Sequence, residues 1–236
     1  MFKNSLRPAI AMVELIFALV IMGIVMMSAP MLISTAAKSS YVGTQQEAIN
    51  EAAAQLNMIL GFHWDERATD ESYPDPILIV NSASTDLNVS GTTGRRKGTP
   101  AESFRSFIWE DGRENQPAST VLTQEGTLIN DIDDFHNTTV SLTLSGTGSA
   151  GNVETTTVNI YREVGYLADD TFATGYNHSS ITYNPPITVS TSSTNIKEVI
   201  VTITSNSGVA ELSKTIKLSA FSCNIGKYTL DEMDML

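Results

Sequence analysis

Apolar residues open this chain almost without a break. Residues 6–30 read LRPAIAMVELIFALVIMGIVMMSAP, and the run carries on to Ile33. About 20 residues at 1.5 Å rise cross a hydrocarbon core, so residues 10–33 predict a membrane helix. From Ile49 the pattern changes. Ile49, Ala52, Ala53, Leu56, Ile59 and Leu60 follow the three-four spacing of one buried stripe, while Gln45, Gln46, Glu47, Asn50, Glu51 and Asn57 take the other faces. Helix is therefore expected from Ile10 to near Phe62, its second half (residues 34–62) lying on a folded domain. Gly43 is its weak point, and Pro30, which has no N–H to donate, is expected to bend or loosen it.

After His63 the pattern turns to strands. Pro74 and Pro76 end the helix, and 77–80 reads as a short buried strand. Further strands are expected near 104–109, 121–129, 139–144 and 153–161. In the third of these Val140, Leu142 and Leu144 alternate with Ser141 and Thr143, the period of a half-buried strand. Residues 91–98 and 168–186 read as loops. The chain closes on a hairpin of 198–204 with 210–222, in which Val199, Val201 and Ile203 can share a face with Ile216, Leu218 and Ala220. The acidic tail DEMDML is expected to fray. The fold class is α+β: a long N-terminal helix packed on a C-terminal antiparallel β-rich domain, residues 63–236.

Charge narrows the partners. The 236 residues carry a net charge of −12, and Lys3 and Arg7 sit before the apolar run, so the body is more acidic still. An acidic body repels phosphate backbones, and no nucleic-acid partner is expected. Lys3 and Arg7 keep the N-terminus in the cytoplasm by the positive-inside rule and send the remainder outward. Cys223 is the single cysteine, which excludes an intrachain disulfide. It is expected to pack as a small apolar side chain.

Few residues suggest chemistry. The sequence has no P-loop, no G-x-S-x-G elbow and no H-E-x-x-H, so neither enzyme activity nor a cofactor is expected. Asp131, Asp133, Asp134 and His136 cluster within six residues, and the three carboxylates are a weak Ca²⁺ candidate without the glycine turn and distal glutamate of an EF-hand; a solvated acidic loop is the preferred reading. His63 and His178 lack zinc spacing and read as structural. Trp64, Asp65 and Glu66 fit either a contact edge or an aromatic cap on the core with two carboxylates in water. The Arg95, Arg96 and Lys97 run reads as a solvated loop. Glu14 is the exception. A carboxylate inside a hydrocarbon span costs about 2.5–3.5 kcal/mol on insertion scales, which implies a partner or a route to the interface.

The leader ending Pro8-Ala9, then IAMVE and an apolar helix, resembles the class III signal of type IV pilins and type II secretion pseudopilins. The resemblance implies a pilin-like fold and a dedicated prepilin peptidase that removes residues 1–9. The cut would fall between Ala9 and Ile10, with N-methylation of Ile10, and Glu14 would be the assembly glutamate at the fifth mature position. Gly23 matches a glycine common in the pilin helix. Ala9 stands where the family usually has glycine, and Pro30 lies one residue before the family's helix-loosening proline. FHWDE, residues 62–66, resembles the end of the helix in PilV-like minor pilins. INDIDDFHN, residues 129–137, with the closing KEVIVTIT strand, resembles minor pilins of the mannose-sensitive haemagglutinin (MSHA) type.

By that resemblance the chain is a minor pilin or pseudopilin of a type IV pilus or type II secretion pseudopilus. It would be held first in the bacterial inner membrane with its domain in the periplasm. Its partners would be other pilin subunits, the peptidase, membrane lipid and the assembly platform. In the filament, a neighbour's free N-terminal amine would neutralise Glu14 within the apolar bundle. Four alternatives are a membrane helix whose glutamate snorkels to the interface, a conventional signal peptide cut after Ala37, a tip adhesin using Tyr176, Tyr183 and the Arg95–Lys97 loop, and a membrane-anchored periplasmic enzyme, for which there is no motif.

Overall fold

A computed structural model describes residues 6–69, 76–81, 117–145, 155–168, 189–205 and 212–226. Helix α1 runs from Leu6 to Leu60, about 80 Å at 1.5 Å per residue. It starts four residues before the expected Ile10, so residues 6–9 of the expected leader are helical. Neither Pro30 nor Gly43 interrupts it. Around Pro30, Ser28 Oγ donates to the Val25 carbonyl at 3.1 Å and Thr35 Oγ1 to the Met31 carbonyl at 2.9 Å. These side chains supply donors next to the turn where proline removes one.

Four long antiparallel strands follow, β1 (Thr138–Ser145), β2 (Thr155–Leu167), β4 (Ile196–Ser205) and β5 (Ile216–Cys223), in the order β1-β2-β4-β5. The short β3 (Val189–Ser190) pairs with Leu167 and Tyr166 of β2, beyond the end of β1. The closing hairpin has the register its alternation implies: Val199 faces Ala220, Val201 faces Leu218 and Ile203 faces Ile216. Strand β2 extends six residues past the expected 161, and β5 begins at Ile216 rather than 210. Residues 77–80 are largely buried, as expected, but form no strand: Ile79 makes only an isolated parallel bridge to Pro117.

A second expected strand does not form either. Residues 121–129 are irregular, with Val121, Leu128 and Ile129 exposed. The polar stretch Thr123-Gln124-Glu125-Gly126 separates the apolar ends, so no alternating face exists to bury. The expected strand 104–109, the loops 91–98 and 168–186, and the acidic tail lie outside the described residues.

The sheet buries one face against the second half of α1, chiefly through β4 and β5. Ala48 and Ala52 of the helix meet Val158, Ile160, Val201 and Ile203, with Ile49, Leu56, Leu142, Ile216 and Leu218 around them. Small residues at positions 48 and 52 bring the helix backbone close to the sheet. Nearer the helix end, Ile59 packs with Ile132, Phe135, Val164 and Val199. A third group of Ala68, Leu78, Val80 and Ala118 continues this core below Trp64. The α+β architecture is the one the apolar pattern implies. Ala48, fully buried, extends the expected stripe by one position.

Candidate functional site

Among the described residues, the first half of α1 has no packing partner. From Met12 to Ile33 every large apolar side chain is between 53% and 84% exposed. The helix is long and apolar enough to cross a membrane once, close to the N-terminus. Glu14 lies on it among Val13, Leu15 and Ile16 and is itself exposed. Ala9 and Ile10 fall within the first turns of the same helix. The backbone across the expected cleavage point is thus continuous helix.

A second concentration of chemistry lies where α1 ends. Gly61 N–H and Phe62 N–H donate to the Met58 and Ile59 carbonyls and close the last turn. The chain then runs extended, and His63 forms a parallel bridge with Asp131, Ile132 N–H donating to the His63 carbonyl at 3.0 Å. FHWDE and INDIDDFHN, remote in sequence, are therefore neighbours. Phe62 meets the Phe135 ring edge-on at 5.0 Å, and Trp64 lies 6.2 Å from Tyr166.

Lys197, at the head of β4, sits between the two segments and is fully buried. Its Nζ donates to Asp133 Oδ2 at 2.6 Å, to the Trp64 carbonyl at 2.6 Å and to Asp65 Oδ2 at 3.3 Å. The ammonium also lies 4.2 Å from the centre of the Trp64 ring and 5.3 Å from that of Tyr166. Asp65 is a helix cap as well: its Oδ1 accepts from Arg67 N–H at 3.1 Å at the start of the 3₁₀ turn Glu66–Ala68. Its Oδ2 accepts from Ser119 N–H at 3.0 Å. Tyr166 Oη donates to the Ser119 carbonyl at 2.7 Å, and burial beside Asp133 and Asp65 pushes its ionisation far above the usual tyrosine range.

The acidic segment is not the solvated loop expected. Asp131, Asp133 and Asp134 are all buried. The cause is local: Asp134 Oδ2 accepts from Asn130 and Asp131 N–H, and Asp131 Oδ1 accepts from Asp134 N–H. These bonds fold the segment on itself, while Ile132 and Phe135 pull it into the core. Burial raises Asp131 to about 6 and Asp133 to about 7, partly offset by Lys197. The carboxylates face Lys197 and backbone amides. Among the described residues, no three Asp, Glu, His or Cys side chains are arranged to hold a metal ion.

The remaining candidates divide plainly. Trp64 is half-buried over the core and Glu66 half-exposed, but Asp65 is fully buried rather than in water. His63 and Cys223 are half-buried. Arg95, Arg96, Lys97, Tyr176, His178 and Tyr183 lie outside the described residues. No sequence motif marks Lys197 as a site residue, nor Arg162, which donates to Thr138 Oγ1 and Gln55 Oε1 and lies 5.1 Å from the Phe135 ring centre. Alternation held the signal: Lys197 shares a face with Val199, Val201 and Ile203, and Arg162 with Ile160 and Val164.

No family model, curated protein or solved structure matches this chain.

Proposed function

We propose that the chain is a minor pilin or pseudopilin, cut by a prepilin peptidase between Ala9 and Ile10 and assembled into a type IV pilus or type II secretion pseudopilus. The observation that carries this reading is the division of α1. Residues 12–33 present to the outside an apolar surface whose one charge is Glu14, while residues 48–60 bury theirs on the sheet. Such a surface is unstable in water and has to be covered, first by lipid and then by the equivalent helices of neighbouring subunits. A membrane anchor alone explains the first cover. The leader sequence and the carboxylate of Glu14 argue for the second, because an unpaired charge in an apolar bundle is costly. The amine that would neutralise it arises when the leader is removed, which ties processing to assembly.

Mass spectrometry of the mature protein, isolated from a cell with a prepilin peptidase, tests this. The expected first residue is N-methylated Ile10. An intact Met1, or a chain starting at Lys38, overturns the reading.

A further inference from the structure

The cluster around Lys197 places an amine against a carboxyl in a dry, aromatic-walled space. Lys197 Nζ lies 2.6 Å from Asp133 Oδ2, and both side chains are at most 2% exposed. The Trp64 and Tyr166 rings stand over Nζ, and Phe135 packs beside its neighbours in the same core. Asp65 adds a second carboxylate 3.3 Å from the same nitrogen. Asp133 Oδ1 is buried and has no hydrogen-bond partner. We propose that Lys197 Nζ and Asp133 Cγ condense into an amide, an intramolecular isopeptide bond, with Asp65 carrying the proton. This holds whether or not the chain joins a filament.

Three features favour the reaction. Folding holds the Lys197 amine in hydrogen-bond contact with the Asp133 carboxyl, which converts an unfavourable bimolecular condensation into a unimolecular one. Burial keeps a large share of Asp133 as the neutral acid near pH 7, and the neutral carboxyl is the electrophilic form. Exclusion of water removes the medium that would drive the reverse hydrolysis. Asp65 is fit for the third role, since Arg67 and Ser119 N–H hold its two oxygens in place beside Nζ.

The steps balance. Asp65 takes one proton from the Lys197 ammonium, and the freed lone pair forms a C–N bond to Asp133 Cγ. Asp65 returns that proton to the Asp133 hydroxyl, the C–O bond breaks and water leaves. The second Nζ proton then passes to Asp65, leaving a neutral amide. No oxidant or reductant takes part. Two opposite charges disappear from a low-dielectric interior, and residues 64 apart in sequence become linked. The link ties the turn before β1 to the head of β4, restricting the unfolded chain as a disulfide does.

The full chain, purified in detergent, denatured and digested with trypsin, gives the test by tandem mass spectrometry. Peptides 114–162 and 163–214 are expected joined, one water lighter than their sum, with cleavage after Lys197 lost. Recovery of free peptide 163–197 as the main product overturns the proposal. Asp133→Ala is expected to restore that cleavage, and a linked pair persisting in it would place the bond elsewhere and overturn the assignment. Asp65→Asn keeps the shape of the carboxylate and is expected to leave the peptides separate. A fully linked product in Asp65→Asn overturns the role given to Asp65.

Discussion

His63 and Asp131 are paired across a parallel bridge, the Ile132 amide donating to the His63 carbonyl at 3.0 Å. Through this one contact the end of the long helix is fixed to the turn that precedes the sheet. Two residues further along each strand of the bridge, Asp65 and Asp133 converge on Lys197. The helix thus docks by an apolar stripe along its length and by a buried charge cluster at its end.

That cluster predicts a severe effect from Lys197→Met. The substitution leaves the buried carboxylates without their amine and removes the proposed link; breaking a buried ion pair alone typically costs about 3–5 kcal/mol. For a domain of this size each kcal/mol lowers the melting temperature by about 2–4 °C. Thermal unfolding of the full chain in detergent, followed by near-ultraviolet circular dichroism of the aromatic side chains, should show a melting point roughly 6–20 °C lower. A shift within error would mean that the cluster contributes nothing to stability.

Asp131 predicts a pH dependence of defined sign. Its folded pKa, raised to about 6 chiefly by burial, exceeds the ordinary aspartate value of 3.8. Between those values the folded state binds more protons than the unfolded one. Stability from this group is therefore full below pH 3.8 and lost as pH rises through about 6. The melting point at pH 5 should exceed that at pH 8. Asp131→Asn, which keeps the acceptor for the Asp134 amide, should flatten the dependence. Melting curves that rise between pH 5 and 8 would contradict it.

Much of this architecture is written in periodicity. The three-four stripe from Ile49 to Leu60 locates the helix face that packs, and the alternation of Val199, Val201 and Ile203 sets the hairpin register. Alternation fails for 121–129 because its apolar residues are separated by TQEG and have no common face. The burial of Asp65 and Asp133 was not legible for a different reason. A carboxylate reads as solvated unless its counter-ion is known, and Lys197 lies over sixty residues from the nearer of the two. Only the inward phase of Lys197 within β4 hints at it. The proposed processing residues, Ala9 and Ile10, rest on local sequence, and the fold adds to them only the continuous helix in which they lie.

Ala52 is fully buried where α1 crosses the sheet, against residues of β2 and β4. Ala52→Leu should force the helix away from Val201 and Ile160 and cost about 1–3 kcal/mol, as overpacking of a filled core does. Ala54→Leu, two residues on and exposed, should change stability by no more than about 0.5 kcal/mol. Paired melting curves check the contrast. Equal effects at both positions would show that the helix does not rest on the sheet by this face.

Glu14 separates anchoring from assembly. It stands on the exposed apolar half of α1, remote from the sheet, so Glu14→Ala should leave the domain's melting point unchanged. Losing a charge from an apolar span favours the bilayer by about 2.5–3.5 kcal/mol, so membrane insertion should persist or strengthen. In a packed bundle, by contrast, the carboxylate would be the partner of a neighbouring subunit's amine, and its removal would leave that amine buried and unpaired. Incorporation into sheared filaments, measured against the amount of mature protein in the membrane, should therefore fall at least about tenfold, the effect of losing some 1.4 kcal/mol at each contact. Incorporation at the wild-type ratio, with processing at Ile10 intact, would assign Glu14 to the membrane interface and remove it from assembly.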